Sequence, residues 1–465
     1  MTGAVPTISD RICTAILIAL SACELLHLVF GQTWAVAPAR GLALALLLAV
    51  IPRFGFREWA LLVLALGLVG GLWWRGDTEA VTGALAKGAY FTAFILLMML
   101  LREAAVTSAS VLDVGAWISR QPPGRRFVVT WWGGHLAGIL MNFGAVSLLA
   151  PLIQRGVRAG PQETPDDRRR TKVRERRQLS ALIRGFAFVI CWAPTTLTQV
   201  IILGSVPDLN PVTAITWGLG LSLLMLGVGW AEDRLRWGRP RRVPEDAPPF
   251  PRGAALDLLV VYILLVGGAL ALVGLASLPL PVALMSVAPI MLCGWVIVQA
   301  RLGTIPSAPR RLAEIASVSI PRMAKDAYLL GAAGFIGITA AELAPVDAIA
   351  TWTEAAGVSS WVFVAALPVL ITLAGQIALS PMMMVVFLAA VVSALPALPA
   401  PPHFIALALG AGWSLSMTAS PNATGALLLA GATGVPSTTL TWRWNGVYSL
   451  TVLAILTVLS WVLVP

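Results

Sequence analysis

Met417-Thr418-Ala419-Ser420-Pro421-Asn422-Ala423-Thr424-Gly425 interrupts an otherwise apolar run spanning 402–431. That run is long enough to cross a hydrocarbon core of roughly 30 Å, which takes about 20 helical residues. Proline within it removes one helical hydrogen bond and blocks another. Lipid offers the freed carbonyls no partner. The stretch therefore predicts a membrane helix broken in two, with Ser420, Asn422 and Thr424 at the break.

The same grammar recurs. Ala193-Pro194-Thr195-Thr196-Leu197-Thr198-Gln199 breaks an apolar run at 185–204. Two further polar spots stand in interrupted regions: Gly138 to Ser147, holding Asn142-Phe143-Gly144, and Gly375-Gln376 to Ser380-Pro381-Met382. A shift of 227 residues pairs Pro194 with Pro421, Trp217 with Trp444, Ser222 with Ser449 and Leu223 with Leu450. The two copies would enter the membrane from opposite sides, as in the inverted repeats of secondary transporters. Broken helices aim their inner N-termini at the midplane, where they favour an anion, while freed carbonyls suit a cation.

Working outward, apolar stretches recur from end to end of the 465 residues: 58% are apolar and 12% charged. Spans are expected near 11–30, 37–51, 57–75, 81–101, 185–204, 211–231, 255–275, 280–300, 327–344, 402–431 and 445–464, with interrupted regions at 104–156 and 358–396. This predicts an all-α polytopic membrane protein of about eleven transmembrane helices plus two re-entrant hairpins. The expected organisation is an N-terminal scaffold helix (1–36), a first repeat (37–231), a basic linker (232–254) and a second repeat (255–465). Nucleic-acid binding is set aside despite the net charge of +10, because Lys and Arg collect in short loops. Between Arg155 and Arg184 there are ten Lys/Arg against four Asp/Glu. Basic loops in the cytoplasm put the N-terminus inside and the C-terminus in the periplasm, in a cell inner membrane. Arg40 and Arg75 run against this orientation. Four scattered cysteines imply neither a disulfide framework nor a metal site.

At its breaks the chain resembles the ion transporter superfamily, and most of all its divalent anion–sodium symporter family. That family carries a polar hairpin tip in each repeat and a broken helix after it. Asn142 stands at the first tip, Pro194-Thr195-Thr196 at the first break, Ser380 at the second tip and Ser420-Pro421-Asn422-Ala423 at the second break. The resemblance implies an elevator-type secondary transporter, a homodimer, with Na⁺ or H⁺ as coupling ion and no other cofactor. It implies a substrate site at Asn142, Phe143, Thr195, Thr196, Ser380, Met382, Asn422 and Thr424. It implies cation-binding groups at Asn142, Pro194, Thr195, Ser380, Ser420 and Asn422. Phe143, Pro381 and Met382 stand where the family has carboxylate-binding groups. The expected solute is thus a small organic anion, carboxylate or sulfonate-like, of monoanionic or aromatic character.

For proton coupling the candidates are His135 and Glu342, since ionisable groups inside spans are functional candidates by default. Glu24 with His27 is expected to be structural, and Lys87 and Asp113 to reach water. No Gly-x-x-x-x-Gly-Lys pattern for nucleotide hydrolysis occurs. An enzyme acting on a lipid-linked substrate would need a cluster of acid, base or metal groups that His27, His135 and His403 do not form. The expectation is a non-enzymatic carrier. The alternative within transport is the membrane subunit of a binding-protein-dependent system.

Overall fold

The structure, a computed structural model, describes residues 7–157, 164–238 and 248–464. Among these it is all-helical, with no strand. The helices are α1 (Ile8–Phe30), α2 (Val36–Val50), α3 (Phe56–Trp74), α4 (Thr78–Val106), α5 (Ala109–Ser119), α6 (Arg126–Met141), α7 (Gly144–Val157), α8 (Pro165–Val189), α9 (Leu197–Ser205) and α10 (Pro211–Trp237). They continue as α11 (Arg252–Ala276), α12 (Leu280–Arg301), α13 (Ala308–Glu314), α14 (Ile320–Glu342), α15 (Val346–Ala355), α16 (Ser360–Gln376), α17 (Pro381–Ala394), α18 (Pro402–Ala419), α19 (Thr424–Thr433) and α20 (Gly446–Leu463). Eight described helical stretches are long and apolar enough to cross a membrane. They fall on α1, α2, α3, α4, α10, α11, α12 and the stretch ending in α20.

Two compact units emerge, each made of two chain segments: 1–108 with 259–345, and 109–258 with 346–465. In the first unit α4 lies along α14. Gly331 permits this: a Cβ there would stand 1.9 Å from Thr92 Oγ1, which instead donates to the Gly88 carbonyl at 2.8 Å. Small residues are how membrane helices approach closely. Ion pairs tie the helix ends of this unit, Asp10 to Arg53 at 2.9 Å, Glu58 to Lys325 at 3.0 Å and Glu103 to Arg311 at 3.1 Å.

The second unit runs through one element order twice. A short helix (α5, α15) leads to a helical hairpin (α6–α7, α16–α17), then a helix interrupted at a proline (α8/α9, α18/α19), then one long helix (α10, α20). The hairpin arms have 14 to 17 residues. At 1.5 Å per residue they reach about 21–26 Å, short of a full crossing. The halves interlock: α9 packs on α17, α19 on α7, and α8 on α18. Within the unit α6 lies flush on α8, because Gly185 has no Cβ; one there would stand 2.0 Å from the Trp131 carbonyl oxygen.

Boundaries differ from the sequence expectation where charged residues are helical. Arg168 to Arg177, expected in a loop, lie on α8, which opens with Thr164 as N-cap, Pro165 in the first turn and Asp167 returning a bond to the Thr164 N–H. Such a capping box starts a helix irrespective of hydropathy. Arg322 and Lys325, just ahead of the expected span 327–344, lie on α14, since Arg and Lys are good helix formers. The hairpin placed at 104–156 begins only at Arg126, because α4 continues to Val106 and α5 is a separate helix. The predicted linker 232–254 shrinks as α10 runs to Trp237 and α11 starts at Arg252; its residues 239–247 lie outside the described ones, as do 1–6 of the N-terminal segment and 158–163 of the basic loop.

Candidate functional site

The second hairpin tip is stitched to the second break. α16 ends at Gln376, the chain turns through Ala378 at φ +67°, and Pro381 opens α17. Ser420 Oγ donates to the Gly375 carbonyl at 2.6 Å, and Asn422 Nδ2 donates to the carbonyls of Gly375 and Gln376 at 3.3 and 3.2 Å. Gln376 answers with its own amide to the Ala419 carbonyl at 3.4 Å, and its Oε1 accepts from Trp442 Nε1 at 3.1 Å. The close approach needs Gly375, where a Cβ would stand 2.6 Å from Ser416 Oγ. Ser416 Oγ is buried and makes no hydrogen bond.

The first tip is built differently. α6 ends at Met141 and is followed by Asn142, whose φ of 48° and ψ of −131° are backbone angles that favour glycine. Its N–H bonds Gly138 and its carbonyl accepts from Ala145, both within the hairpin. Phe143 lies with its ring centroid 5.4 Å from that of Phe186 on α8. At the first break, Gln199 Nε2 takes the carbonyls of Ile190 at 3.3 Å and Cys191 at 2.7 Å. Thr196 Oγ1 donates to Ala193 at 2.8 Å, while Thr195 Oγ1 is buried without a partner. Since Gln199 occupies the carbonyls that α8 releases, a cation at Pro194 and Thr195 would have to use those residues' own oxygens.

Two of the links between the halves lie at the tips and breaks. Cys191 Sγ lies 3.2 Å from Ser414 Oγ, which sets the first break beside α18. Phe186, already against Phe143, also lies where a Cβ on Gly425 would be 3.5 Å away, which connects the first tip to the start of α19. The four polar spots (138–147, 190–199, 375–382 and 414–425) carry no charged side chain. Their electrostatic character comes from the partial positive charge at the starts of α9 and α19, neither of which has a side-chain N-cap bond, although the Gly425 N–H meets Met417 Sδ at 3.4 Å.

Three predicted residues, Met382, Glu342 and His135, have surroundings of their own. Met382 is buried completely in the packing at the start of α17, so its thioether faces protein rather than an opening. Glu342 is exposed and belongs to the first unit, whereas both tips belong to the second. His135 is fully buried, with Nδ1 2.9 Å from the Gly185 carbonyl and Nε2 2.8 Å from Trp192 Nε1, which can only donate. Nδ1 must therefore hold the proton and Nε2 accept. A second proton would set two N–H groups against each other. So placed, His135 braces α6 against α8 and the first break. Ser380 caps α17 without a side-chain bond, and Thr424 opens α19 half-buried.

Sequence reasoning passed over Gln376, Gln199, Ser416 and Trp192 as site residues. Both glutamines sit in the polar spots, and an amide inside a membrane run is itself a signal. Trp192 gave none, since its role depends on a histidine 57 positions away. An apolar cavity of about 450 Å³ between α10, α16, α18 and α20 is lined by none of the predicted site residues.

Solved structures carry the same architecture. The YdaH transporter of Alcanivorax borkumensis superposes with a TM-score of 0.53 over 79% of this chain and 84% of its own, at 20% identity. The chain shares the fold of that protein. It is a multi-pass membrane protein. No family model matches it, and no curated protein does.

Proposed function

We propose that this chain is a secondary active transporter, not an enzyme, that moves a small organic anion across the inner membrane by an elevator movement of its second unit. The observation that carries this reading is the second unit itself, where both hairpin tips and both broken helices are gathered in one compact body. The repeated element order supports an inverted repeat. The chemistry fits an anion: uncharged tips, half-helix N-termini and the aromatic face of Phe143. Asn142, Thr195, Thr196 and Asn422 supply hydrogen bonds to the solute.

Sodium is the coupling ion this arrangement favours. The carbonyls of Gly375 and Gln376 lie with the hydroxyl oxygens of Ser416 and Ser420 at the second tip, where the Asn422 amide donates to both carbonyls and a cation would take its place. Oxygen ligands of that kind suit a hard cation. His135 is held between Gly185 and Trp192 and Glu342 belongs to the first unit, so this reading gives neither a role in proton coupling at the tips. The chain resembles the divalent anion–sodium symporters in this design and is read as a homodimer with its N-terminus in the cytoplasm.

Proteoliposomes of purified protein, loaded without sodium, are offered radiolabelled aromatic carboxylates, aliphatic mono- and dicarboxylates and arylsulfonates under a sodium gradient or a pH gradient. Sodium-driven uptake of a monoanion, lost in Asn422→Ala, is the expected result. Uptake that follows only the pH gradient would overturn the sodium assignment, and no uptake of any anion would overturn the carrier reading.

A further inference from the structure

We propose that the second unit holds a specific site for an anionic phospholipid, with the phosphate on α8 and α10 and an acyl chain between α10 and α20. Six charged side chains meet beside Trp237 and Trp444: Arg176, Arg177, Arg184 and Arg236 against Glu232 and Asp233. Two of the arginines are spoken for. Arg177 makes a two-pronged bond to Asp233 at 2.9 and 2.6 Å, and Arg184 meets Glu232 at 2.6 Å. That leaves two surplus positive charges. Among the described residues Arg176 makes no ion pair; its guanidinium donates to the Arg443 carbonyl at 3.1 Å and lies 5.5 and 5.9 Å from the rings of Trp237 and Trp444. Arg236 is 3.6 Å from a Glu232 that Arg184 already holds, and it is 37% exposed.

Ser180 lies on the same face of α8, one turn from both Arg176 and Arg184. Its hydroxyl is buried in the cluster and has no hydrogen-bond partner. A phosphate accepts from guanidinium forks and a hydroxyl together. Trp237 and Trp444 flank the spot, as tryptophans do at the headgroup level.

The charge cluster opens into a second feature. A groove of about 650 Å³ between α10 and α20 shares Glu232 and Arg236 with it and is otherwise almost wholly apolar, from Leu235 and Val447 to Ile455. From Val447 to Ile455 the groove runs roughly 12 Å along α20. Leu235 is 87% and Val447 60% exposed, so this floor is bare in the protein chain. A free phosphate would use the arginines and leave the groove empty; a phospholipid uses both. Basic pockets between membrane helices bind such headgroups. The site is independent of the transport reading.

The test uses the full-length protein in detergent, titrated with dioleoylphosphatidylglycerol, dioleoylphosphatidylcholine and inorganic phosphate. Native mass spectrometry counts bound lipid, and melting temperature is followed in parallel. One tight phosphatidylglycerol site is expected, at least about ten-fold tighter than phosphatidylcholine, and no melting shift with phosphate. Arg176→Gln with Arg236→Gln leaves both satisfied ion pairs intact and is expected to weaken phosphatidylglycerol about thirty-fold. Val447→Trp, which keeps every charge and fills the groove, must also weaken it. Equal affinity for the two lipids, or undiminished phosphatidylglycerol binding in either variant, overturns the site. A melting shift with phosphate equal to that with phosphatidylglycerol makes it a free-anion site and overturns the lipid.

Discussion

Asn142 combines two separable properties, a backbone in a region that glycine prefers and an amide at the first tip. Holding a residue with a Cβ at such angles costs about 1–2 kcal/mol, and such strain collects at functional sites. Asn142→Gly keeps the turn and removes the amide; Asn142→Ala removes the amide and keeps the strain. The expected pattern is that the glycine variant melts at or above the native temperature, the alanine variant about 1 kcal/mol less stable, and both fail to transport. Normal uptake by Asn142→Gly would take the amide out of the solute site. Ser420 works at the same scale. Ser420→Ala deletes the bond to Gly375 and leaves the Asn422 N–H unpaired, so a loss of roughly 1–2 kcal/mol is expected in thermal denaturation; an unchanged melting point would mean that the tip is not held by this hydroxyl. Which residues were polar at the tips was plain from the sequence. That Gly375 and Gln376 would offer their carbonyls to Ser420 and Asn422 was not, since 45 or more positions separate the bonded groups.

At the scale of elements, each break needs partners for the carbonyls that its first half releases. The first break finds them within itself, through Gln199; the second finds them across a hairpin, through Gln376. Position 426, which matches Gln199 at the repeat spacing, is Ala426, so the second break has no internal plug. Gln199→Leu should therefore destabilise the protein by about 1–3 kcal/mol through unpaired carbonyls of Ile190 and Cys191, read as a lowered melting temperature. Should Gln199→Leu melt like the native protein, other groups must satisfy that break. The α6–α8 seam is stricter. Gly185→Ala places a Cβ against the Trp131 backbone and shifts the carbonyl that His135 bonds, so a loss of about 3 kcal/mol is expected, with lower yield of folded protein. Hydropathy located each of these helices within a few residues but misjudged α8 and α14, whose charged first turns are helical by capping and propensity rather than by burial.

For the whole molecule, orientation is the property that a single experiment decides. With the basic segments inside, a cysteine at Arg170 should react with a membrane-impermeant maleimide only after the cells are opened, and one at Ala355 should react from outside, in a chain where exposed Cys293 is replaced by Ser. The opposite pattern would invert the proposed topology. The amino-acid order by itself determined the membrane class, the places of eight of the eleven expected apolar spans, the two prolines at the breaks and their spacing of 227, because these depend only on local hydropathy and backbone chemistry. Of the two serines paired by that spacing, Ser222 bonds the Phe188 carbonyl and Ser449 the Thr418 hydroxyl. Tertiary structure alone decided that residues 109–258 and 346–465 form one unit, that His135 is a brace, that Phe186 links the first tip to α19, and that α10 and α20 leave a groove beside surplus arginines. The physical reason is that a hydrogen bond or a packed ring specifies partners across hundreds of positions, and lipid-facing apolar residues look alike in sequence whether their neighbour is a helix, a tip or a lipid chain.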